Sequence, residues 1–486
     1  MTQTNLESPL LDRIGGYVAG AWITEGDTFD VHDPADGSLL ARVPRLGAQH
    51  ARDAVEAARD ALAGGPVPIA ARQERLHDIA SLLHESSAEL ARIITRENGK
   101  PLSEARAEVA YAAGFYAHAA EEVPHLASRV LDERPRDHRW TVHHRAAGVA
   151  ALITPWNFPI AMLAKKLSAA IAAGCTTVIK PARATPLTCI AFVRLLERLE
   201  LAPGEVNLVV GDAGPIGDVL AEHPAVRVIS FTGSTAVGQK LAAKAAPTLK
   251  RLSLELGGNA PCLVFADADL DAAVERLVAN KFRASGQTCV CTNRVLVDAA
   301  VADAFTERLA ARVGSLITGP GTLDGVDVGP LIDGDGWDKV LAHVDDAVAK
   351  GARIARGKRP DARPSPDAGW FFEPMVLAGV PKDALCFREE TFGPIVPITT
   401  FESEDEAVEL ANDTDAGLAA YVFTGDSARA ERVIARLSYG HVGHNTGTGP
   451  TPEAPFGGMR QSGYGREGGL EGLLEYVEIQ TVPTAP

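Results

Sequence analysis

Two thiols stand one residue apart in "ASGQTCVCTNR", at Cys289 and Cys291. A zinc site takes CxxC or wider spacing and a second ligand pair. CVC is tighter, and no second pair follows. The other chemistry open to such a thiol is nucleophilic attack, and this stretch alone does not choose. A carboxylate with a comparable double reading is Glu255 in "ELGG". At the end of an apolar strand it faces the crevice where parallel sheets bind ligands, and partial burial would make it a general base. In isolation a simple strand-end turn is the favoured reading. In "TPWNFP", Asn157 can donate to a developing oxyanion or cap the helix that follows. In "FTGSTAVG", Gly233 and Ser234 sit at a strand-to-helix turn, where free N–H groups and the helix dipole can seat a diphosphate. The usual GxGxxG dinucleotide signature is absent. His143 and His144 have no acidic or thiol companion at ligand spacing, so no metal site is expected.

These residues need a scaffold, and the patterning supplies one. Residues 148–265 alternate apolar strands ("GVAALIT", "TTVIKP", "VNLVVG", "VRVISFTGS", "RLSLELGG") with helices such as "PIAMLAKKLSAAIAAG", which Pro159 opens and Gly174 closes. Strand–helix alternation predicts parallel βαβ units in a doubly wound, nucleotide-binding sheet. Residues 267–440 repeat the alternation, which predicts a second α/β domain. Residues 50–120 read as helices, with "HARDAVEAARDALAG" ending in Gly-Gly and the pattern after it running on to Asn98-Gly99. "RWTVHHRA" (139–146) and "LEYVEIQTVP" (474–483) read as exposed strands. Such strands need protection or a partner chain, which makes them an assembly element.

The 486 residues are 46% hydrophobic and 23% charged, an ordinary globular balance. The net charge of -16 argues against nucleic acid and anionic membrane as partners. Six scattered cysteines are too few for a disulfide-built secreted fold. The start "MTQTNLESPLLDRIGG" lacks the pattern of a signal peptide, and no apolar run is long enough to span a bilayer. A cytoplasmic protein is expected.

Taken in order, "ITPWNFP", "KPA", "FTGSTAVG", "LELGG", "GQTCVC", "EETFGP" and "PFGGMRQSGYGREGG" closely resemble the aldehyde dehydrogenase superfamily, over nearly the whole chain. Within it, CVC after GQT and the tail "SGYGREGG" look most like succinate-semialdehyde dehydrogenases. The resemblance implies two doubly wound α/β domains, a Rossmann-like cofactor domain and a catalytic domain, plus a small β oligomerisation arm. The expected bounds are 1–126 and 147–257 for the cofactor domain, 258–445 for the catalytic domain, and 127–146 with 446–486 for the arm and C-terminal segment. A homodimer or homotetramer is implied.

The resemblance also assigns roles. Cys289 becomes the nucleophile that forms a thiohemiacetal with a small aldehyde. Asn157 and the backbone N–H of Cys289 hold its oxyanion, and hydride passes to NAD+ or NADP+. Glu255 activates the water that hydrolyses the resulting thioester, which distinguishes this chemistry from transfer to coenzyme A. Lys180 belongs to the catalytic set and reaches the adenosine ribose. Trp156, Gly233, Ser234, Glu390 and Phe392 complete the cofactor contacts. Cys291 is either a small neighbour or one half of a reversible disulfide with Cys289.

Two departures from the family pattern matter. After "KPA", NAD-using members often carry Glu; here Arg183 stands there, and a guanidinium attracts a 2′-phosphate. NADP is therefore favoured. For a carboxylated semialdehyde, Arg283 matches one of the family's two substrate arginines. The other position holds Lys165, and the usual Ser is replaced in "TGTGPTPEAPFGG", where Thr451, with Thr448 nearby, is the hydroxyl on offer.

Overall fold

The structure is a computed structural model that describes residues 5–133 and 135–485. Residues 1–4, 134 and 486, which the expected domain bounds take in, lie outside the described residues.

The first sheet has eight strands. Its centre is parallel, in the spatial order Arg251–Glu255, Val226–Thr232, Val149–Ile153, Thr176–Lys180, Val206–Leu208. The residues of Val149–Ile153 and Thr176–Lys180 are almost all buried, because helices cover both faces, and this is why they read as unbroken apolar runs. The chain winds outward from Val149–Ile153 through Thr176–Lys180 to Val206–Leu208. It then crosses back to lay Val226–Thr232 on the other side of Val149–Ile153. The winding direction reverses between those two strands. Ligand crevices in open α/β sheets form outside the C-terminal strand ends at such a reversal. Ile153 and Thr232 end there, and the loops that follow carry Trp156, Asn157, Gly233 and Ser234.

The second sheet has seven strands, in the order Arg353–Arg356, Met375–Ala378, Ile395–Phe401, Arg294–Asp298, Pro261–Val264, Ala419–Phe423, His441–His444. All its pairings are parallel except that of the edge strand Arg353–Arg356. The fold is thus two doubly wound α/β sheets. A small third sheet pairs Val477–Thr484 antiparallel with Arg139–Ala146, and Arg129–Val130 flanks the latter. Ile479 and Val482 stay exposed on it.

Only the end of the 446–486 segment joins this arm. Gly463–Tyr464 pairs with Leu254–Glu255 at the edge of the first sheet. Gly463 (φ 113°) permits this, since a Cβ there would lie 1.9 Å from the Leu254 carbonyl oxygen. The helix Gly469–Leu474 then packs on the first domain, and Leu473 joins its core. The helical run over 69–98 is also not continuous: it divides at Ser86 into Ile69–Glu85 and Ser87–Asn98. Among the described residues, no helix is long and apolar enough to cross a membrane.

Candidate active site

A cavity of about 670 Å³ opens at the reversal point and runs between the two sheets. Trp156, Asn157, Lys165, Gly233, Ser234, Glu255, Arg283, Cys289, Glu390 and Phe392 all line it. Residues from positions 156 to 392 thus converge on one space.

The nucleophile candidate lies in the loop between helix Leu270–Lys281 and strand Arg294–Asp298. Burial pushes the Cys289 thiol up to about 12, with Glu390 and Glu255 adding to the effect and Lys165 opposing it. The ligand-free thiol is therefore protonated at neutral pH. Its backbone N–H makes no hydrogen bond among the described residues. Gly258 is required beneath this loop, since a Cβ there would stand 2.5 Å from the Cys289 carbonyl oxygen. Asn157 is buried and donates one Nδ2 hydrogen to the Gln287 carbonyl at 2.8 Å. Its second amide hydrogen is uncommitted. Asn157 thus bonds across to the nucleophile loop instead of capping the helix Ala161–Ala173.

Glu255 ends its strand 3% exposed, and neither carboxylate oxygen has a partner. Burial and the nearby Glu467 raise its pKa well above the usual carboxylate range, against the pull of Lys165, Lys166 and Arg466. A buried acceptor without a donor costs about 1–3 kcal/mol, so a bound water or a reacting group is the natural complement of this site.

Toward the other end, Trp156 and Phe392 meet edge to face with ring centroids 5.6 Å apart. Phe392 holds a left-handed backbone (φ 60°). Its neighbour Thr391 is tied down by the Asn293 side chain at 2.9 Å and by His343 at 3.1 Å. Glu390 accepts from Gly258 N–H at 3.1 Å, and burial raises its carboxyl to about 7. Ser234 is the N-cap residue of Thr235–Ala245 without a side-chain cap bond, so the first-turn N–H groups have no side-chain partner. Gly233 leaves room for the Phe231 ring, 2.4 Å from where a Cβ would be. An open helix N-terminus, a carboxylate and an aromatic pair along one cavity fit the residue types that hold a dinucleotide.

The remaining expected residues divide between the cavity and its surroundings. Lys180 is buried beneath the crevice and donates to the Pro181 carbonyl at 2.8 Å; burial lowers its pKa to about 8. Arg183 lies outside the cavity lining, 3.5 Å from Asp212 and over the Phe29 ring at 5.2 Å. Thr451 is exposed and its hydroxyl turns to Glu453, while Thr448, Gly449 and Pro450 line the cavity. Lys165 does reach the cavity. Its ammonium is engaged by Glu467 at 3.7 Å and by the rings of Tyr111, Phe115 and Phe456. Burial works against that charge, but Tyr111, Glu467, Glu255 and Cys289 hold its pKa above the ordinary lysine value. Arg283 makes no salt bridge among the described residues and lies 5.2 Å over Phe158. Cys291 is buried behind the loop, donates to the Gly286 carbonyl at 3.3 Å and is a free thiol. Among the described residues, no cluster of three or more metal-ligating side chains occurs.

The sequence reading missed a set of buried charges. Lys100 and Glu108 form an ion pair of 2.6 Å with both side chains fully buried. Lys100 also donates to the Asn157 carbonyl at 2.7 Å. The Glu108 carboxylate receives the N–H groups of Ile160 and Ala161, at the start of the helix after Asn157. Glu467 bonds Lys166, which in turn donates to Ser230 at 3.0 Å. The signal available was Glu104 and Glu108 at helical i, i+4 spacing in "GKPLSEARAE", on one face of a helix whose other neighbours are apolar.

Comparison with known proteins agrees with this geometry. The profile of the Aldehyde dehydrogenase family matches residues 22–482. A glutarate-semialdehyde dehydrogenase of Pseudomonas aeruginosa is 45% identical over 478 residues, covering 98% of this chain and 98% of that protein. An NADP(+) succinate-semialdehyde dehydrogenase of Escherichia coli is 44% identical over 473 residues, 97% of either chain. A solved succinate-semialdehyde dehydrogenase from Burkholderia pseudomallei superposes with a TM-score of 0.95 at 47% identity, covering 99% of this chain and 100% of that one.

Proposed function

Because this chain belongs to the aldehyde dehydrogenase family, we propose that it oxidises a small carboxylated aldehyde, a semialdehyde of the succinate or glutarate kind, to the acid with NADP+ or NAD+. The observation that carries this reading is that Cys289, Asn157, Glu255 and the unpaired Arg283 line one cavity.

In this reading Arg283, which has no salt-bridge partner among the described residues, holds the distal carboxylate, and Lys165 stands 3.7 Å from Glu467. The aldehyde carbon then lies over the Cys289 sulfur. The Cys289 thiol releases its proton to solvent as sulfur adds, and the oxygen gains charge between the free N–H of Cys289 and the second amide hydrogen of Asn157. Preorganised donors of this type are worth about 2.7–4 kcal/mol each in the barrier. The bound nicotinamide supplies the hydride acceptor that the thiohemiacetal carbon needs to become a thioester. Glu255, unpartnered and across the cavity, takes a proton from water as that water attacks the thioester carbonyl. The acid leaves and the thiol is regenerated. The high pKa of Glu255 makes it a strong base once ionised, and Lys165 and Lys166 favour the ionised form.

Lys180, Gly233, Ser234, Glu390, Trp156 and Phe392 are assigned to the cofactor, and Arg183 to a 2′-phosphate. The three-stranded arm, with its half-buried strand Arg139–Ala146 and exposed strand Val477–Thr484, supports a homodimer or homotetramer, and the cytoplasm is the proposed location.

A kinetic panel tests the reading. Succinate semialdehyde, glutarate semialdehyde and uncharged aldehydes of matching length are each run with both cofactors. A charge-assisted contact of about 1.5–3 kcal/mol gives the carboxylated substrates an advantage in kcat/KM of roughly tenfold or more. Equal or better turnover of the uncharged set would remove the substrate assignment. Full turnover by Cys289→Ser would remove the mechanism.

A further inference from the structure

The loop that carries Cys289 is entered through three consecutive left-handed residues: Ala284 (φ 48°), Ser285 (φ 59°) and Gly286 (φ 75°). Glycine is at home there; alanine and serine are not. Such a segment persists only where its surroundings over-determine it. Glu104, in the helix Leu102–Glu122, sits at this point. Its Oε2 accepts the Ala284 N–H at 2.7 Å. The Ser285 hydroxyl donates to the Gly329 carbonyl at 2.8 Å, and Gln287 Nε2 closes back on the Ala284 carbonyl at 3.1 Å. The next link is the bond from Asn157 Nδ2 to the Gln287 carbonyl. A continuous chain of contacts therefore runs from Glu104, through the left-handed turn, to the oxyanion donor and the sulfur. Glu104 lines the cavity yet enters no step of the reaction proposed above.

We infer that Glu104 is a positioning residue: by holding the Ala284 N–H it fixes the left-handed turn that aims Cys289 and keeps Asn157 in register with it. The inference rests on the assignment of Cys289 as nucleophile. The bond needs an acceptor oxygen at the right reach and does not need a charge. Lys100, Arg283 and Glu108 are the charged groups that act on Glu104, so a competing role through charge, on Arg283 above all, must be separable.

Two conservative variants of the full-length enzyme separate them. Glu104→Gln keeps the reach and loses the charge; Glu104→Asp keeps the charge and loses one methylene of reach. Turnover of an uncharged aldehyde is measured per active site, counted by the burst of reduced cofactor. The rate of Cys289 alkylation by iodoacetamide is measured without substrate, with Cys289→Ala as the blank. Glu104→Asp should lower kcat on the order of 10²-fold, the scale of a 1 Å misplacement, with cofactor KM little changed and an altered alkylation rate. Glu104→Gln should recover most of both. The inference is overturned if Glu104→Gln is as slow as Glu104→Asp, or if Glu104→Asp keeps wild-type kcat per titrated site. If the Cys289→Ala blank alkylates as fast as wild type, the nucleophile assignment itself falls, a separate result.

Discussion

Arg183→Glu should move the enzyme from NADP+ toward NAD+, and the size of the shift follows from where Arg183 stands. Its side chain is 53% exposed, with Asp212 at 3.5 Å. Two unit charges about 4 Å apart interact by about 1 kcal/mol in water and about 4 kcal/mol near a protein surface. The exposure places this contact at the low end, where salt and solvent hold exposed pairs to about 1 kcal/mol or less. A phosphate monoester carries roughly -1.5 to -2 charges, which raises the attraction to about 1.5–2 kcal/mol. Asp212 takes part of that back, because it repels the same phosphate and competes for the guanidinium. About 1.4 kcal/mol is left, a factor of about ten in favour of NADP+. Glutamate replaces the attraction by repulsion of similar size, so the ratio of kcat/KM for NADP+ over NAD+ should fall about a hundredfold. The same reasoning predicts that Asp212→Asn raises that ratio severalfold, and that both effects shrink in high salt, where the Debye length drops to about 3 Å. The assay is initial rates of cofactor reduction at saturating aldehyde, at low and high salt. A ratio that neither substitution moves, or a wild-type preference for NAD+ that survives Arg183→Glu, would refute the assignment of Arg183 to the phosphate.

Glu255→Gln should leave the first burst of cofactor reduction and slow steady turnover by about 10²–10⁴-fold, the range of a lost general base; stopped-flow traces that lose the burst as well would place Glu255 before hydride loss. In the ligand-free enzyme, alkylation of Cys289 should climb with pH straight through roughly 8.5, where an ordinary thiol levels off, because burial has pushed this one up to about 12. A plateau near neutrality would show a thiolate that burial has not suppressed. Lys100→Met strands the Glu108 carboxylate in a fully buried position, and the loss should be about 3–5 kcal/mol in urea unfolding. A loss under about 1 kcal/mol would mean the pair is a surface-like contact. Peroxide inactivation of the wild type should be reversed by dithiothreitol through a Cys289–Cys291 disulfide, and Cys291→Ala should make it irreversible; equal reversal in both would end the idea of a switch.

The parts of this molecule that could be read in advance are those whose cause is local. The residues of Val149–Ile153 read as a strand because both faces are covered, and Glu255 was legible as a crevice residue because strand ends in parallel sheets point there. Gly233–Ser234 was legible for the same reason, a strand-to-helix turn. What stayed hidden depends on groups that meet only after the sheets are wound. Lys165 and Lys166 interrupt an otherwise apolar helix, and both are buried. The helix pattern says that two charges must be compensated but not by what. The answer, Glu467, lies some three hundred positions on (|i−j| = 301), in a tail whose glycines let it fold back along the edge of the Glu255 strand. The direction of Thr451 was hidden for a related reason. A loop hydroxyl has no periodicity to fix its direction, and a neighbouring Glu453 was enough to turn it outward. The engagement of Lys165 then changes the substrate argument. A cation that looks free in the sequence stands 3.7 Å from Glu467 in the fold, so in the proposed reading the distal carboxylate depends chiefly on Arg283. A single guanidinium can bind its partner bidentately, but it fixes one end of the substrate only. On that reading the distance from Arg283 to Cys289 should set the length of the preferred semialdehyde. Arg283→Lys, which keeps the charge and loses the fork, should therefore weaken binding of succinate and glutarate semialdehydes to different extents, whereas equal losses would mean that another cation shares the carboxylate.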